Sequence, residues 1–127
     1  MDRLGLRYLQ SRDNAWLLPF RTGKKDIGVF VVETDKTVLI FSPVVTNPGL
    51  ELSSTLVKNL LRRNGEIHLG RYVFMDEIGI VFQADALLEG LTCELFRLLL
   101  GVVVSEVDQN GAQIQGLAGR GRTPRLF

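Results

Sequence analysis

The chain has 127 residues, 46% of them hydrophobic and 23% charged, with a formal net charge of +1. That is the size and make-up of one globular domain able to bury a core of its own. It excludes a disordered chain, and so even a balance leaves no electrostatic footprint for nucleic acid or acidic lipid. The total hides an asymmetry, because Arg120, Arg122 and Arg125 all follow the last acidic residue, Asp108. Without those three the balance is 12 basic to 14 acidic residues. A single cysteine, Cys93, excludes an internal disulfide and a cysteine-rich zinc site, and it suits a reducing compartment. The opening "MDRLGLRYLQSRDN" lacks the apolar stretch of a signal peptide, and the longest apolar run, Leu98 to Val104, is too short to span a bilayer. The expectation is a cytoplasmic protein without membrane insertion.

Residues 2–11 read as a short helix with Leu4, Leu6, Tyr8 and Leu9 as its apolar positions, weakened by Gly5. "NAWLLPF" (14–20) reads as a strand, with Pro19 at its end or on an edge. "IGVFVVE" (27–33) and "TVLIFSPVV" (37–45) are β-rich strands joined by a tight "TDK" connection. Both are apolar on consecutive residues, the pattern of strands covered on both faces. "LELSSTLVKNLLRR" (50–63) is an amphipathic helix with Leu52, Leu56, Val57 and Leu60 on one side, and Asn64-Gly65 reads as its stop. "EIHLGRYVFM" (66–75) and "GIVFQADA" (79–86) form a hairpin around "DEIG".

Thr92 is the expected N-cap of the last helix, with Glu94 favourable in its first turn. Its segment "LFRLLLGVVVSEV" (95–107) is apolar round most of its girth: Glu94, Arg97, Gly101, Ser105 and Asp108 form one narrow polar stripe, and elsewhere only Glu106 interrupts. Leu99 and Val103 are expected in the core, and Leu98 and Val104 lie on the edges of the apolar arc. The helix is expected to end near Gln109-Asn110-Gly111, which divides the chain into a domain at 1–110 and a flexible Gly- and Arg-containing tail at 111–127. The three arginines of that tail are few for RNA contacts, and Leu126-Phe127 would be the part able to dock. Short turns between strands argue for α+β with an antiparallel or mixed sheet and helices packed on it.

The order α-β-β-β-α-β-β-α is that of the secretion-chaperone-like fold, and the stretch from Leu56 to Asp108 resembles the YbjN family within it. The resemblance rests on Leu61 and Asn64 at a helix end, Gly70-Arg71-Tyr72 opening a strand, and Asp76-Glu77 at a hairpin tip. It continues in the strand Val81 to Asp85 and in Leu88-Glu89-Gly90-Leu91-Thr92 before a long final helix. The N-terminal half matches only in element order and in its Trp-containing first strand. The resemblance implies a homodimer related to the chaperones that keep secreted effectors soluble, one that binds an extended segment of a partner.

No catalytic constellation appears. His68, the one histidine, has no cysteine or carboxylate cluster at metal spacing and no paired nucleophile, so it reads as structural. Cys93 opens a helix without a partner histidine and reads as an inert, partly buried thiol. Asp76 and Glu77 are neighbours at a hairpin tip and point apart into water. Lys24-Lys25 reads as a loop tip, and Arg62-Arg63 as cations placed by a helix C-terminus. No metal, cofactor or catalytic residue is assigned, and the chain is expected not to be an enzyme.

The apolar surplus of the last helix and of the two doubly apolar strands asks for cover from a second subunit or a client. The expected function is a non-enzymatic, chaperone-like homodimer holding an extended segment of an unidentified partner protein. Val29, Val31 and Val81 are the expected contacts on the sheet, and Leu98, Val102 and Val104 those on the helix. The alternatives are a dedicated assembly adaptor for one complex, such as a bacterial microcompartment shell, and a regulator of signalling or gene expression.

Overall fold

The computed structural model describes residues 8–23 and 25–120. The described elements are β1 (Leu9–Arg12), β2 (Ala15–Thr22), β3 (Lys25–Glu33), β4 (Thr37–Thr46), α1 (Ser54–Glu66), β5 (Arg71–Met75), β6 (Gly79–Leu87) and α2 (Cys93–Arg120). All strand pairings are antiparallel, in the order β1-β2-β3-β4-β6-β5. The fold is α+β, as the element pattern requires. Both helices lie on one face: α2 crosses β3, β4 and β6, and α1 packs on β5 and α2.

Trp16, Val31, Ile40 and Ala84 stand opposite one another across four strands, as do Tyr72, Phe82 and Ser42 across three. Opposed residues share a face, and these rows meet the helices. Leu18, Val29, Ile40, Phe82, Leu56, Phe96, Leu99 and Val103 form the buried core with their neighbours.

Three expectations are corrected. Leu9–Arg12 is a strand, not the end of a helix over 2–11, because Asp13-Asn14 turns the chain back on β2 and Leu9 pairs with Leu17. The turn is held by Glu33 N–H donating to Asn14 O at 2.8 Å and Asn14 Nδ2 donating to Glu33 O at 3.0 Å. The rest of that expected helix, residues 1–7, lies outside the described residues.

Helix α1 starts later than residue 50, at the Ser53 cap, whose Oγ accepts from Leu56 N–H at 3.1 Å. It also passes through Asn64-Gly65 to Glu66. Among the described residues positive φ occurs only at Gly23, Gly79 and Gly90, so Gly65 is no left-handed stop.

The largest correction is at α2, which does not end near Gly111 but runs to Arg120. Its buried face continues from Val103 through Gly111 to Ile114 and Ala118, at helical spacing. Gln115 Nε2 also donates to Val44 O at 2.9 Å. Packing on the sheet offsets the low helix propensity of its glycines. Residues 111–120 therefore belong to the domain and not to a tail; residues 121–127, with Arg122, Arg125, Leu126 and Phe127, lie outside the described residues.

Candidate functional site

The other face of the sheet carries no described helix. The row Leu9, Leu17, Phe30, Phe41, Gln83, Arg71 crosses all six strands by direct Cα pairing. Its first four members are apolar. Phe30 and Phe41 stack with centroids 5.3 Å apart and planes at 15°. Val32 and Leu39, opposite each other on β3 and β4, widen the band. Arg71 and Asp85 close its polar end with an ion pair at 3.0 Å. The aromatic pair is half-buried, and Leu9 is 66% exposed.

Next to the stack the sheet splits. The β3–β4 ladder runs only from Glu33–Val38 to Phe30–Phe41, although both strands continue. Extended by two residues, the register sets Gly28 against Pro43, which has no N–H to give. Ser42 Oγ donates to Gly28 O instead, at 2.7 Å. The split opens into a cavity of about 570 Å³, with Leu17, Gly28, Phe30 and Pro43 on the strand side and Val107, Gly111 and Gln115 of α2 behind. Phe30 and Leu17 thus belong to both the band and the cavity.

The sequence-expected sheet contacts lie elsewhere. Val29 (0% exposed) and Val31 (2%) face the helices and are core residues. Val81 is on the helix-free face but is 0% exposed between its cross-strand partners Pro43 and Val73. Val29 and Val81 are closed off from a partner while the domain is folded, and Val31 is reached only through a small pocket on the helix-covered face. The reason is parity: on strands apolar at every position, a one-residue shift exchanges the faces. One signal was available, since Pro19, Gly28 and Pro43, which fill a core poorly, all fall on the helix-free side. Phe30 and Phe41, the aromatic centre of that side, share its parity and were missed.

On α2, Leu98 is 53% exposed, and Val102 and Val104 are half-buried at the sides of the stripe formed by Arg97, Gly101 and Ser105. Leu99 and Val103 are core residues as expected.

Glu106, the interruption in the apolar arc, is buried. Its carboxylate accepts from Arg63 Nε at 3.0 Å and Nη2 at 2.8 Å, and from the Tyr72 hydroxyl at 2.6 Å. Burial alone would push its pKa up, but the hydrogen bonds from Arg63 and Tyr72 and the arginine charge leave it below the ordinary value. Burial, then the bond to Glu106, pushes the Tyr72 hydroxyl well up, so it stays a donor. The bond to Glu106 raises Arg63 in turn. This latch ties α1, α2 and β5 together. Arg63 is therefore not merely a cation at a helix end, and its pairing with Glu106 was legible only as one charge in an apolar run.

The remaining candidates stay apart. His68, Asp76 and Glu77 are exposed, and Cys93 is exposed rather than partly buried. Lys25 Nζ donates to Asp108 O at 2.9 Å, and Lys24 lies outside the described residues. Among the described residues no group of three or more His, Cys, Asp or Glu side chains is placed to hold a metal ion, and no helix is long and apolar enough to cross a membrane.

Helices on one face, an apolar band on the other and a charged latch between the layers define a small α+β domain with the secretion-chaperone-like architecture. The chain belongs to the YbjN family: the family's sequence model, described as "Putative bacterial sensory transduction regulator", matches residues 1–116. None of the curated proteins matches. Among solved structures, the fold is similar to a chain of the ExsC–ExsE complex, with TM-score 0.62 and 18% identity over 89% of this chain and 86% of that one. It is also similar to a chain of the heterodimeric ExoU–SpcU complex from the type III secretion system of Pseudomonas aeruginosa, with TM-score 0.58 and 15% identity over 91% of each. YbjN from E. coli matches with TM-score 0.55 and 20% identity over 94% of this chain and 86% of that one. At these identities the likeness is one of fold.

Proposed function

We propose that the protein is a non-enzymatic, cytoplasmic, chaperone-like homodimer whose helix-free sheet face holds an extended segment of a partner protein. The observation that carries this reading is the apolar band Leu9–Leu17–Phe30–Phe41 on a face no described helix covers. An extended segment presents alternate side chains to such a face, and the cavity beside Phe30 offers depth for one of them. Two of the similar structures are named as complexes of two proteins, which supports partner binding in this fold. The exposed Leu98, with Val102 and Val104 beside it, supplies a second apolar surface for the other copy.

A photo-crosslinking phenylalanine analogue placed at position 30 tests the reading. In the source cell it should join the chain covalently to one or a few partner proteins, while the same analogue at exposed His68 should not. Equal labelling from both positions overturns the assignment. A regulator of signalling is the second reading, favoured by the description of the family; it would use the same face, with a signalling protein as the crosslinked partner. A dedicated assembly adaptor would yield one structural component instead.

A further inference from the structure

A smaller pocket lies on the opposite, helix-covered face, at the end where the β3–β4 hairpin meets the start of α2. Glu33 and Val38 are Cα partners across that hairpin, and Trp16 stands opposite Val31 on β2 and β3. Leu91 and Phe96 close the space from the α2 side. The pocket measures about 210 Å³. Sites for whole small molecules run from roughly 300 to 1,000 Å³, so this one is the size of a single side chain.

Its walls are mostly apolar, with one indole ring, one carboxylate, and Thr92 and Cys93 at the start of α2. Glu33 uses its backbone N–H and O on Asn14. Among the described residues its carboxylate makes no ion pair or hydrogen bond. Glu33 is the one charged residue among those that line it, and the neighbouring positions of segments 33–38 and 88–96 carry Asp35, Glu89 and Glu94 against one lysine, Lys36. The amino end of α2 opposes a cation, but Glu94 in its first turn and the Thr92 cap on Leu95 N–H, at 3.0 Å, offset that field. The pocket is therefore complementary to a positive charge carried on an apolar stem.

We propose that this pocket is a socket for an arginine side chain of the partner protein, from a part of it other than the segment on the helix-free face, its guanidinium against the face of Trp16 and paired with Glu33. The identity of the partner rests on the partner-binding reading above; the chemistry of the socket does not. A guanidinium satisfies both groups at once, because its plane stacks on an aromatic ring while its edge meets a carboxylate. A lysine meets the carboxylate but lacks the plane. A neutral apolar side chain fills the walls and leaves Glu33 unpaired.

Trp16 is the single tryptophan of the chain, so its fluorescence and its indole N–H resonance report on this pocket alone. The experiment titrates the full chain with N-acetyl-arginine amide and with the matching citrulline and lysine compounds. The arginine compound should move the Trp16 indole signal saturably, with citrulline binding at least about tenfold more weakly. Glu33→Gln, at an exposed position, should bring arginine down to the citrulline level without altering the melt. Equal binding of citrulline, equal binding of lysine, or an unchanged affinity in Glu33→Gln overturns the proposal. No partner is needed, so a failed titration leaves the sheet-face reading standing. A sheet face that captures nothing leaves a positive titration standing.

Discussion

Asn64 makes to Tyr72 the two hydrogen bonds that a neighbouring strand would make: Tyr72 N–H donates to Asn64 Oδ1 at 2.7 Å, and Asn64 Nδ2 donates to Tyr72 O at 3.1 Å. A helix side chain thereby closes the outer edge of β5 near its start. Asn64→Ala should cost about 1–2 kcal/mol, because two backbone groups lose their partners. It should also raise the tendency to associate, since an unpaired edge is a template for another strand. Denaturant melts and light scattering measure the two effects; a variant with wild-type stability would show that the edge needs no closure.

The latch makes a prediction about pH. Glu106 is held below its ordinary pKa of 4.5, so folding favours its ionised form. Such a group contributes stability in full above its unfolded value, and that stability is lost as pH falls through the lowered folded value. Glu106→Gln should cost about 2 kcal/mol near neutral pH. That is less than the roughly 3–5 kcal/mol of a fully buried broken pair, because Arg63 is one-third exposed. The gap between wild type and variant should narrow on acidification below about pH 4.5. A gap that stays constant down to pH 3 would mean that Glu106 acts through shape and not through charge.

Shortening the chain tests the corrected end of α2. A chain ending at Asn110 loses buried Ile114 and Ala118 and the Gln115–Val44 bond. It should be destabilised by several kcal/mol, about the cost of emptying a core leucine or isoleucine site plus one hydrogen bond. A chain ending at Arg120 should melt like the full-length protein. Equal melts for the two shortened chains would show that the last turns of α2 do not hold the domain.

The sequence carried the element types well and the faces poorly. Strands β2, β3, β4 and β6 and the Thr92 start of α2 were legible because β-branched runs, turn residues and a cap are local signals. The sheet face was not, because β3 and β4 are apolar at both parities and only the packing of α2 chooses between Val29 and Phe30. Glycines 111, 116 and 119 hid the last turns of α2 for a related reason: local propensity says stop, and burial of Ile114 and Ala118 says continue. Gly70, quoted only as part of a pattern, has a steric cause, since a Cβ there would lie 2.5 Å from the Phe82 ring. Asn64 read as a helix stop, and its bond to Tyr72 needs a strand eight residues away.

Leu98 and Leu99 are adjacent in sequence and should behave oppositely. Leu99→Ala should cost about 2–5 kcal/mol, the range for a buried leucine. Leu98→Glu should leave the fold within about 0.5 kcal/mol of wild type, as surface changes do. It should dissociate the proposed homodimer, because the charge would be buried without a partner at the contact. Circular dichroism beside light scattering at micromolar concentration separates the outcomes. A Leu98→Glu protein that keeps twice the monomer mass removes Leu98 from the contact.

The helix-free face is tested most directly by one comparison of captured partners. Tagged wild-type, Phe41→Glu and Leu98→Glu chains, each shown to be folded by circular dichroism, are passed through lysate of the source cell, and what they retain is quantified by mass spectrometry. Proteins held by wild type and by Leu98→Glu should fall at least about tenfold on Phe41→Glu, because a charge in the aromatic stack would be desolvated by the bound segment. The same proteins retained in the same amounts by Phe41→Glu would contradict the account and move the partner site off the sheet.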